Sequence, residues 1–310
     1  MRNIFKPLII LYGELVDQPN WKYQRMIDGG CTCGYREYAR NFGHIIYVSK
    51  QKVKLPWEHS ITNPNDIINF ISKYPDAVVW SVKHGPKKDN YILSKINNKK
   101  IYYSCNASNR YNKFCDISLV DTPERLKGER SSLWFKGKDP EYWKPVATKK
   151  EFDYLLVGRR GDKNEIYFLK QLNEVKEKRR ILWIGGAAHK DKISTNHEVI
   201  CTDFIGQDEV RNNISKAKVG VLFTELKIEG FPQAFLEMTM CGLPVVYNIN
   251  APRNDFYFFA DNCILTKKSK LIKNAETLLR TGDSEKCRQT AIEHYSIKKS
   301  YERILQCLNL

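Results

Sequence analysis

Residues 229–247 read Glu-Gly-Phe-Pro-Gln-Ala-Phe-Leu-Glu-Met-Thr-Met-Cys-Gly-Leu-Pro-Val-Val-Tyr, with a carboxylate at each end of the first nine positions. Gly230 and Pro232 mark the start of a helical pattern and Gly242 marks its end. Leu243–Tyr247 is a short apolar run that predicts a buried strand. A helix N-terminus presents unpaired N–H groups and a positive dipole end, so it suits a diphosphate. Carboxylates on both sides can accept hydrogen bonds from sugar hydroxyls. The stretch therefore predicts a nucleotide-sugar site, against the simpler alternative of an amphipathic helix with two surface glutamates.

Outward from this stretch, short apolar runs alternate with longer runs of helical periodicity. The alternation predicts an α/β fold with parallel sheets and with ligands at the carboxyl ends of the strands. The predicted strands are Leu8–Tyr12, His44–Val48, Ala77–Trp80, Lys100–Tyr103, Ile117–Val120, Phe152–Val157, Ile181–Ile184, Glu198–Cys201 and Val219–Phe223. The predicted helices are Tyr35–Phe42, Pro64–Lys73, Glu165–Val175, Asp208–Ala217 and most of the tail from Ser269.

A segment rich in Gly, Pro and Lys, residues 135–150, separates the two series of strands and predicts a linker. We expect two Rossmann-like doubly wound domains, residues 1–146 and 147–310, that face each other across a cleft. A length of 310 residues is sufficient for two such cores. The helical C-terminal tail ends in a helix that is a candidate to pack back on the first domain.

The composition is that of a globular chain, with 42% hydrophobic and 28% charged residues. The sequence contains no apolar run of about 18 residues, so it predicts no membrane-spanning helix. Its start predicts a buried strand better than a signal peptide. Nine scattered cysteines are typical of a reducing compartment, so we expect a cytoplasmic protein. A peripheral position at the inner membrane face and a virus-encoded protein in the host cytoplasm are the alternatives.

The opening stretch resembles the Glu-x7-Glu signature of retaining GT-B glycosyltransferases, the glycosyl transferases group 1 family. The resemblance rests on the Gly-Phe-Pro step, the helix and the Cys-Gly-Leu-Pro turn, which occur together. Gly137–Pro145 is similar to the Gly-Val-Asp…Phe-x-Pro crossover between the two domains of these enzymes. Leu155–Arg159 is similar to the strand that opens their donor domain, and Phe204–Ser215 resembles the approach to the donor helix. The likeness is best over residues 117–310.

The resemblance implies a donor site in the second domain. Arg159 and Lys163 would hold the diphosphate, with Arg160 as a rival for the first role, because cations stabilise charge on a departing nucleoside diphosphate. Glu229 would bind hydroxyls of the transferred sugar, and Glu237 would bind the ribose hydroxyls. The helix start would face the phosphates through residues Gly230, Phe231, Pro232, Gln233 and Ala234.

The first domain supplies further candidates. Gly29 and Gly30 fall where the family has a glycine-rich loop after its first strand, and their lack of side chains would let backbone approach the donor. His84 follows a predicted strand, although a lone histidine is more often structural. The loop in which the family often carries a histidine reads Ser-Cys-Asn-Ala here, so Asn106 is the candidate hydrogen-bond partner of the sugar.

The family resemblance implies transfer with retention of anomeric configuration by a hexosyl- or pentosyltransferase. The sequence contains no Asp-x-Asp, the metal-diphosphate device of the other major glycosyltransferase fold, so no metal site is predicted. We expect no cofactor besides a UDP- or GDP-linked sugar as donor substrate. The sequence predicts no oligomeric state.

The net charge of the chain and its distribution indicate which class of acceptor the protein uses. The net charge is +16, and residues 1–147 hold 24 Lys and Arg against 14 Asp and Glu, together with 16 of the 23 Trp and Tyr residues. Basic residues interleaved with aromatic ones can hold a phosphate backbone and stack bases, so one expected acceptor is DNA with a hydroxymethylated base, as in phage-type DNA. The competing acceptor is an envelope lipid or polysaccharide at an anionic membrane. A non-catalytic module that binds a nucleotide sugar or a nucleic acid is the third alternative.

Overall fold

The computed structural model of the chain describes residues 5–12, 30–48, 53, 55–82, 86–103, 112–120, 130–158, 164–203, 205–224, 232–249 and 262–310. The chain forms two compact units. The first unit contains residues 1–136 and 300–310, and the second contains residues 137–299. The division based on sequence placed the change of domain ten residues later, after residue 146.

The first unit is built on one parallel sheet. In the described residues its strand order is β3-β2-β1-β4-β5-β6-β7. The strands are β1 (Leu8–Tyr12), β2 (Gly43–Tyr47), β3 (Glu58–Ser60), β4 (Val78–Val82), β5 (Lys100–Tyr103), β6 (Ile117–Val120) and β7 (Ser131–Leu133). The helices that accompany them are α1 (Gly30–Phe42), α2 (Pro64–Ser72) and α3 (Pro86–Lys95). All residues of β1 and β4 are buried, which is expected of central strands covered on both faces.

The second unit repeats this plan with the strand order β10-β9-β8-β11-β12-β13, again entirely parallel in the described residues. Its strands are β8 (Phe152–Val157), β9 (Arg180–Ile184), β10 (Glu198–Thr202), β11 (Ala217–Thr224), β12 (Val245–Ile249) and β13 (Cys263–Thr266). Its helices are α4 (Glu165–Leu172), α5 (Gln207–Lys216), α6 (Gln233–Met240), α7 (Leu271–Thr281) and α8 (Ser284–Tyr295), with short 3-10 turns at Ala187–Lys192 and Lys268–Lys270. The last helix, α9 (Ile297–Cys307), carries the chain back to the first unit.

Both sheets place their first strand beside their fourth, so the strand order reverses in the middle of each sheet. This arrangement is that of the Rossmann fold, and it opens a crevice at the carboxyl ends of the strands where the order reverses. The predicted fold class of two doubly wound α/β units with a helical C-terminal tail is therefore confirmed. Four predicted strands have the observed bounds, namely Leu8–Tyr12, Lys100–Tyr103, Ile117–Val120 and Phe152–Val157.

The segment predicted as a linker is a structured part of the protein. Lys136 is buried in the first unit, and Lys138 and Trp143 have no exposed surface within the second. Lys138 forms an isolated parallel bridge to Ser296, in which the Lys138 N–H donates to the carbonyl of Tyr295 and the Ile297 N–H donates to the carbonyl of Lys138. A composition rich in Gly, Pro and Lys predicts a solvated chain, but these backbone bonds fix it to the end of α8.

Candidate functional site

Helix α6 begins at the residues that the sequence analysis placed against a diphosphate. Pro232 takes the N-cap position with extended backbone, and its side chain cannot accept a hydrogen bond from the first turn. Gln233 is the first helical residue, and its Oε1 atom is shielded from solvent without a hydrogen-bond partner among the described residues. A shielded polar atom at an uncapped helix start is a group that a ligand can satisfy. Glu229, Gly230 and Phe231 lie outside the described residues.

The end of α6 fixes its register against the sheet. Gly242 has a positive φ of 72°, and its N–H donates to the carbonyl of Thr239 at 2.9 Å while the Leu243 N–H donates to that of Met238 at 2.9 Å. This pair of bonds is the Schellman motif, which requires the left-handed conformation that glycine adopts without strain. The chain can then turn directly into β12.

Glu237 lies one turn inside α6 and is 9% exposed. Its Oε1 atom accepts a hydrogen bond from the Lys138 ammonium at 2.9 Å, and Lys138 has no exposed surface. The same ammonium lies 4.9 Å from the centre of the Trp143 ring, at cation–π distance. The carboxylate predicted to bind ribose therefore belongs to a buried ion pair, and its Oε2 atom remains as the oxygen that can accept further hydrogen bonds.

Residues 137–143, here called the crossover segment, contact two further helices of the second unit. The Tyr142 hydroxyl donates to Asp208 of α5 at 2.9 Å, and Arg211 of α5 donates to the Tyr142 carbonyl at 3.0 Å. Arg288 of α8 donates to the carbonyls of Pro140 at 2.9 Å and Trp143 at 2.8 Å. Arg288 also donates to the carbonyl of Met240, the last residue of α6. The crossover segment thus holds the helix that carries Glu237.

The thiol next to this ion pair is not a nucleophile at neutral pH. Burial, with the adjacent Glu237 carboxylate as a smaller cause, raises the pKa of Cys241 to about 12. A thiol with this pKa stays protonated at pH 7, whereas nucleophilic attack requires the thiolate. Cys241 is therefore not a candidate nucleophile of the site.

The predicted phosphate-binding cations follow the carboxyl end of β8. Arg159, Arg160 and Lys163 lie outside the described residues, and the last described residue before them is Gly158. A Cβ atom on Gly158 would come 2.5 Å from Oε1 of Glu165 in α4, so a larger residue here would displace the end of that side chain. Strand β8 pairs with β11, which Glu229 follows along the chain. Because both strands are parallel, the two segments that carry the predicted site leave the same edge of the sheet side by side.

The candidates in the first unit follow three neighbouring strands in the same way. Gly29 precedes α1, which begins at Gly30 after β1, while His84 follows β4 and Asn106 follows β5. Strand β4 pairs with β1 and with β5, so these segments also start from adjacent positions at one sheet edge. Gly29, His84 and Asn106 lie outside the described residues, as does the side-chain environment of Gly30.

Lys138 contacts the candidate site residue Glu237, and the sequence did not predict this contact. Its position in a segment with a linker composition gave no sign of burial. The nearby Trp143 was a usable signal, because a tryptophan is seldom left in solvent and marks a place where a chain is packed.

The family comparison agrees with this arrangement. Residues 151–280 match the family model described as Glycosyl transferases group 1. The matched range contains β8, α4, α5, β11, α6 and most of α7. The predicted family resemblance is confirmed. No curated protein sequence matches the chain.

Solved structures share the fold over nearly the whole chain. A glycosyltransferase from Rickettsia africae ESF-5 has a TM-score of 0.68 at 12% identity, with 98% of each chain covered. Alr3699/HepE from Anabaena, in complex with UDP-glucose, has a TM-score of 0.65 at 11% identity, with 97% of this chain and 99% of the other covered. An alpha-glucosyltransferase in complex with UDP and a 13-mer DNA has a TM-score of 0.69 at 11% identity, with the same coverage. At these identities the likeness is one of fold.

Proposed function

We propose that this chain, a glycosyltransferase whose residues 151–280 match the glycosyl transferases group 1 family, moves a sugar with retention from a nucleoside diphosphate to a polyanionic acceptor. The observation that carries the proposal is the uncapped start of α6, which follows β11 next to β8 and presents the shielded Oε1 of Gln233. Backbone N–H groups at such a start suit a diphosphate. The UDP-glucose in the Anabaena structure of the same fold supports a nucleotide sugar as donor.

Each group at the donor site has a distinct task. Glu237 accepts hydrogen bonds from the ribose hydroxyls through Oε2, and Glu229 accepts them from the transferred sugar. Arg159 and Lys163 neutralise the negative charge that develops on the departing diphosphate. In other glycosyltransferases a metal ion has this role.

Transfer proceeds on one face of the sugar. The bond between the anomeric carbon and the diphosphate oxygen breaks as the acceptor oxygen bonds to the same carbon from the same side. The departing diphosphate takes the proton of the acceptor hydroxyl, so the step balances without a protein base. The protein contributes orientation and cationic stabilisation.

The acceptor that the charge favours is DNA with a hydroxylated base. The first unit exposes basic side chains, among them Arg40, Lys73, Lys95, Lys99, Lys113 and Arg130. Its 24 cationic against 14 anionic residues up to residue 147 would attract a phosphate backbone. The solved alpha-glucosyltransferase complex with UDP and DNA supports this acceptor class.

The donor reaction is tested by incubating the protein with UDP- and GDP-sugars and measuring nucleotide release and sugar transfer. Replacing Glu229 by Ala should abolish transfer, because the hydroxyls of the sugar lose their acceptor, while the circular dichroism spectrum stays unchanged. The matched control is Glu174→Ala, which removes an exposed glutamate of the same unit and should keep full activity. Equal turnover of Glu229→Ala and the control would reject the assigned site. Nucleotide binding without release or transfer would support a non-catalytic module instead.

The acceptor is tested by titrating the protein with duplex DNA that contains 5-hydroxymethylcytosine at several salt concentrations. Binding to phosphates releases counterions, so affinity should fall by about 10³-fold or more between 50 mM and 200 mM salt if six or more phosphates are contacted. Sugar should appear on the modified base. Binding that does not change with salt, or transfer only in the presence of anionic vesicles, would favour the envelope acceptor.

A further inference from the structure

Lys138 is an unusual residue to find without exposed surface. A buried ammonium costs several kcal/mol in lost hydration unless it is paired, and lysine is almost never fully buried without a partner. Lys138 is 0% exposed and contacts both the Glu237 carboxylate, at 2.9 Å, and the face of Trp143.

The backbone allows this ammonium little freedom. The N–H and C=O groups of Lys138 are bonded on both sides, to Tyr295 at 3.0 Å and to Ile297 at 2.8 Å. Arg288 holds the other end of the crossover segment through the carbonyls of Pro140 and Trp143. A side chain on a fixed backbone, with a ring against its ammonium, fixes the direction from which it donates to Glu237.

We propose that Lys138 is a positioning residue for nucleotide binding: it holds the Glu237 carboxylate by Oε1 and so turns Oε2 toward the nucleoside. This inference rests on the proposed function, since it assumes that Glu237 binds the donor nucleotide. With Oε1 bonded to the Lys138 ammonium, Oε2 keeps its lone pairs for hydrogen bonds from the ribose hydroxyls. Lys138 therefore acts on the affinity for the nucleoside diphosphate through Glu237 and touches no reacting atom.

The experiment compares the affinity for UDP and GDP, measured by calorimetry, among the wild type, Lys138→Met, Glu237→Gln and the double variant. Lys138→Met should weaken nucleotide binding about tenfold, because a loss of this size corresponds to one hydrogen bond to a charged group. The double variant should bind no more weakly than Glu237→Gln alone, because Lys138 acts only through Glu237.

The matched control is Arg179→Met, which breaks another partly buried ion pair of the same unit, with Glu276 at 2.6 Å. It should lower the melting temperature and leave nucleotide affinity unchanged. Equal affinity of Lys138→Met and the wild type, or additive losses in the double variant, would overturn the positioning role. If the wild type binds neither UDP nor GDP, the proposed function fails first, and the role of Lys138 fails with it.

A second measurement does not depend on whether Lys138→Met folds. In wild-type protein labelled with ¹⁵N-lysine, the ammonium resonance of Lys138 should shift when UDP or GDP saturates the site, because the Glu237 carboxylate that it touches gains a ligand. The resonance is assigned by its absence in the double variant, in which no buried charge is left unpaired. An unchanged resonance at saturation would contradict the inference.

Discussion

At the scale of the residue, two histidines on neighbouring strands of the first unit form a pair. Nε2 of His59 in β3 lies 3.1 Å from Nδ1 of His44 in β2, so one ring donates a hydrogen bond to the other. The rings of Phe70 and Tyr74 pack against His44, and Phe70 also packs against His59. Burial lowers the pKa of both histidines below 6.5, and for His59 the neighbouring His44 adds to the effect.

This pair should make the first unit less stable in mild acid. As the pH falls through about 6.5, the unfolded chain takes up protons that the folded pair resists, so the free energy of unfolding decreases. Denaturant unfolding at pH 7.5, 6.5 and 5.5 measures the decrease. The variant His44→Gln/His59→Gln should have a shallower dependence on pH over this range. A slope as steep as that of the wild type would exclude the pair as its cause.

The residues of the site differ in how far the sequence reveals them. Glu237 could be proposed from sequence because it stands in a spaced motif. Lys138 could not, since its burial results from the packing of α6 and α8 around the crossover segment. A charge that is stabilised by partners far along the chain leaves no local periodicity. The roles of Arg159, Lys163 and Glu229 remain predictions. The strands that precede them along the chain, β8 and β11, are neighbours in the sheet.

At the scale of the element, α8 has a helix start that can be tested by itself. Asp283 takes the N-cap position, and its carboxylate accepts a hydrogen bond from the Lys286 N–H at 3.0 Å. The Asp283 N–H in turn donates to Asn262 at 3.2 Å. Through Arg288, this helix also reaches the end of α6.

Replacing Asp283 by Ala should lower the free energy of unfolding by about 1 kcal/mol, because an N-cap side chain that accepts from the first turn contributes roughly that amount. Asp283→Asn keeps an oxygen acceptor at the same place and should stay within a few tenths of a kcal/mol of the wild type. Urea unfolding of the three proteins decides the matter, and equal losses for Ala and Asn would show that the cap bond is not the cause.

Two central strands were predictable from their apolar composition, whereas the strands at the two edges of the first sheet were not. The central strands Leu8–Tyr12 and Phe152–Val157 have mainly buried residues, so their composition reveals them. Glu58–Ser60 and Ser131–Leu133 were missed because they are three residues long and mostly polar. Such short strands pair only because their neighbours provide an edge, which is a property of the sheet rather than of the local sequence.

At the scale of the whole molecule, residues 300–310 belong to the first unit although they follow the second along the chain. The Tyr301 ring packs 4.4 Å from that of Phe42, and its hydroxyl donates to the Lys6 carbonyl at 2.8 Å. Ser300 accepts from the Tyr38 hydroxyl at 2.6 Å, and its carbonyl accepts from the Trp134 indole at 3.1 Å. The tail therefore completes the core of the first unit.

A chain that ends at Lys299 should lose stability selectively in the first unit. Tyr301 and Ile304 have no exposed surface. Removing them should lower the free energy of unfolding by on the order of 3 kcal/mol or more, because their apolar surface is no longer buried. Thermal unfolding should then show an early transition that the full chain lacks. A chain that ends at Leu308 loses only the exposed Asn309 and Leu310 and should melt like the wild type. Identical melting of the two shortened chains would contradict this account.

Because residues 300–310 belong to the first unit, the two units should fold in a defined order during synthesis on the ribosome. Residues 137–299 are made as one continuous stretch, whereas the first unit waits for its final piece, residues 300–310, until the second unit has been synthesised. Domains fold as units during synthesis. The first unit is synthesised first and should therefore complete its folding last. Until then, aromatic side chains such as Phe42 and Tyr38 stay exposed to solvent. During this interval a nascent chain would need protection by chaperones.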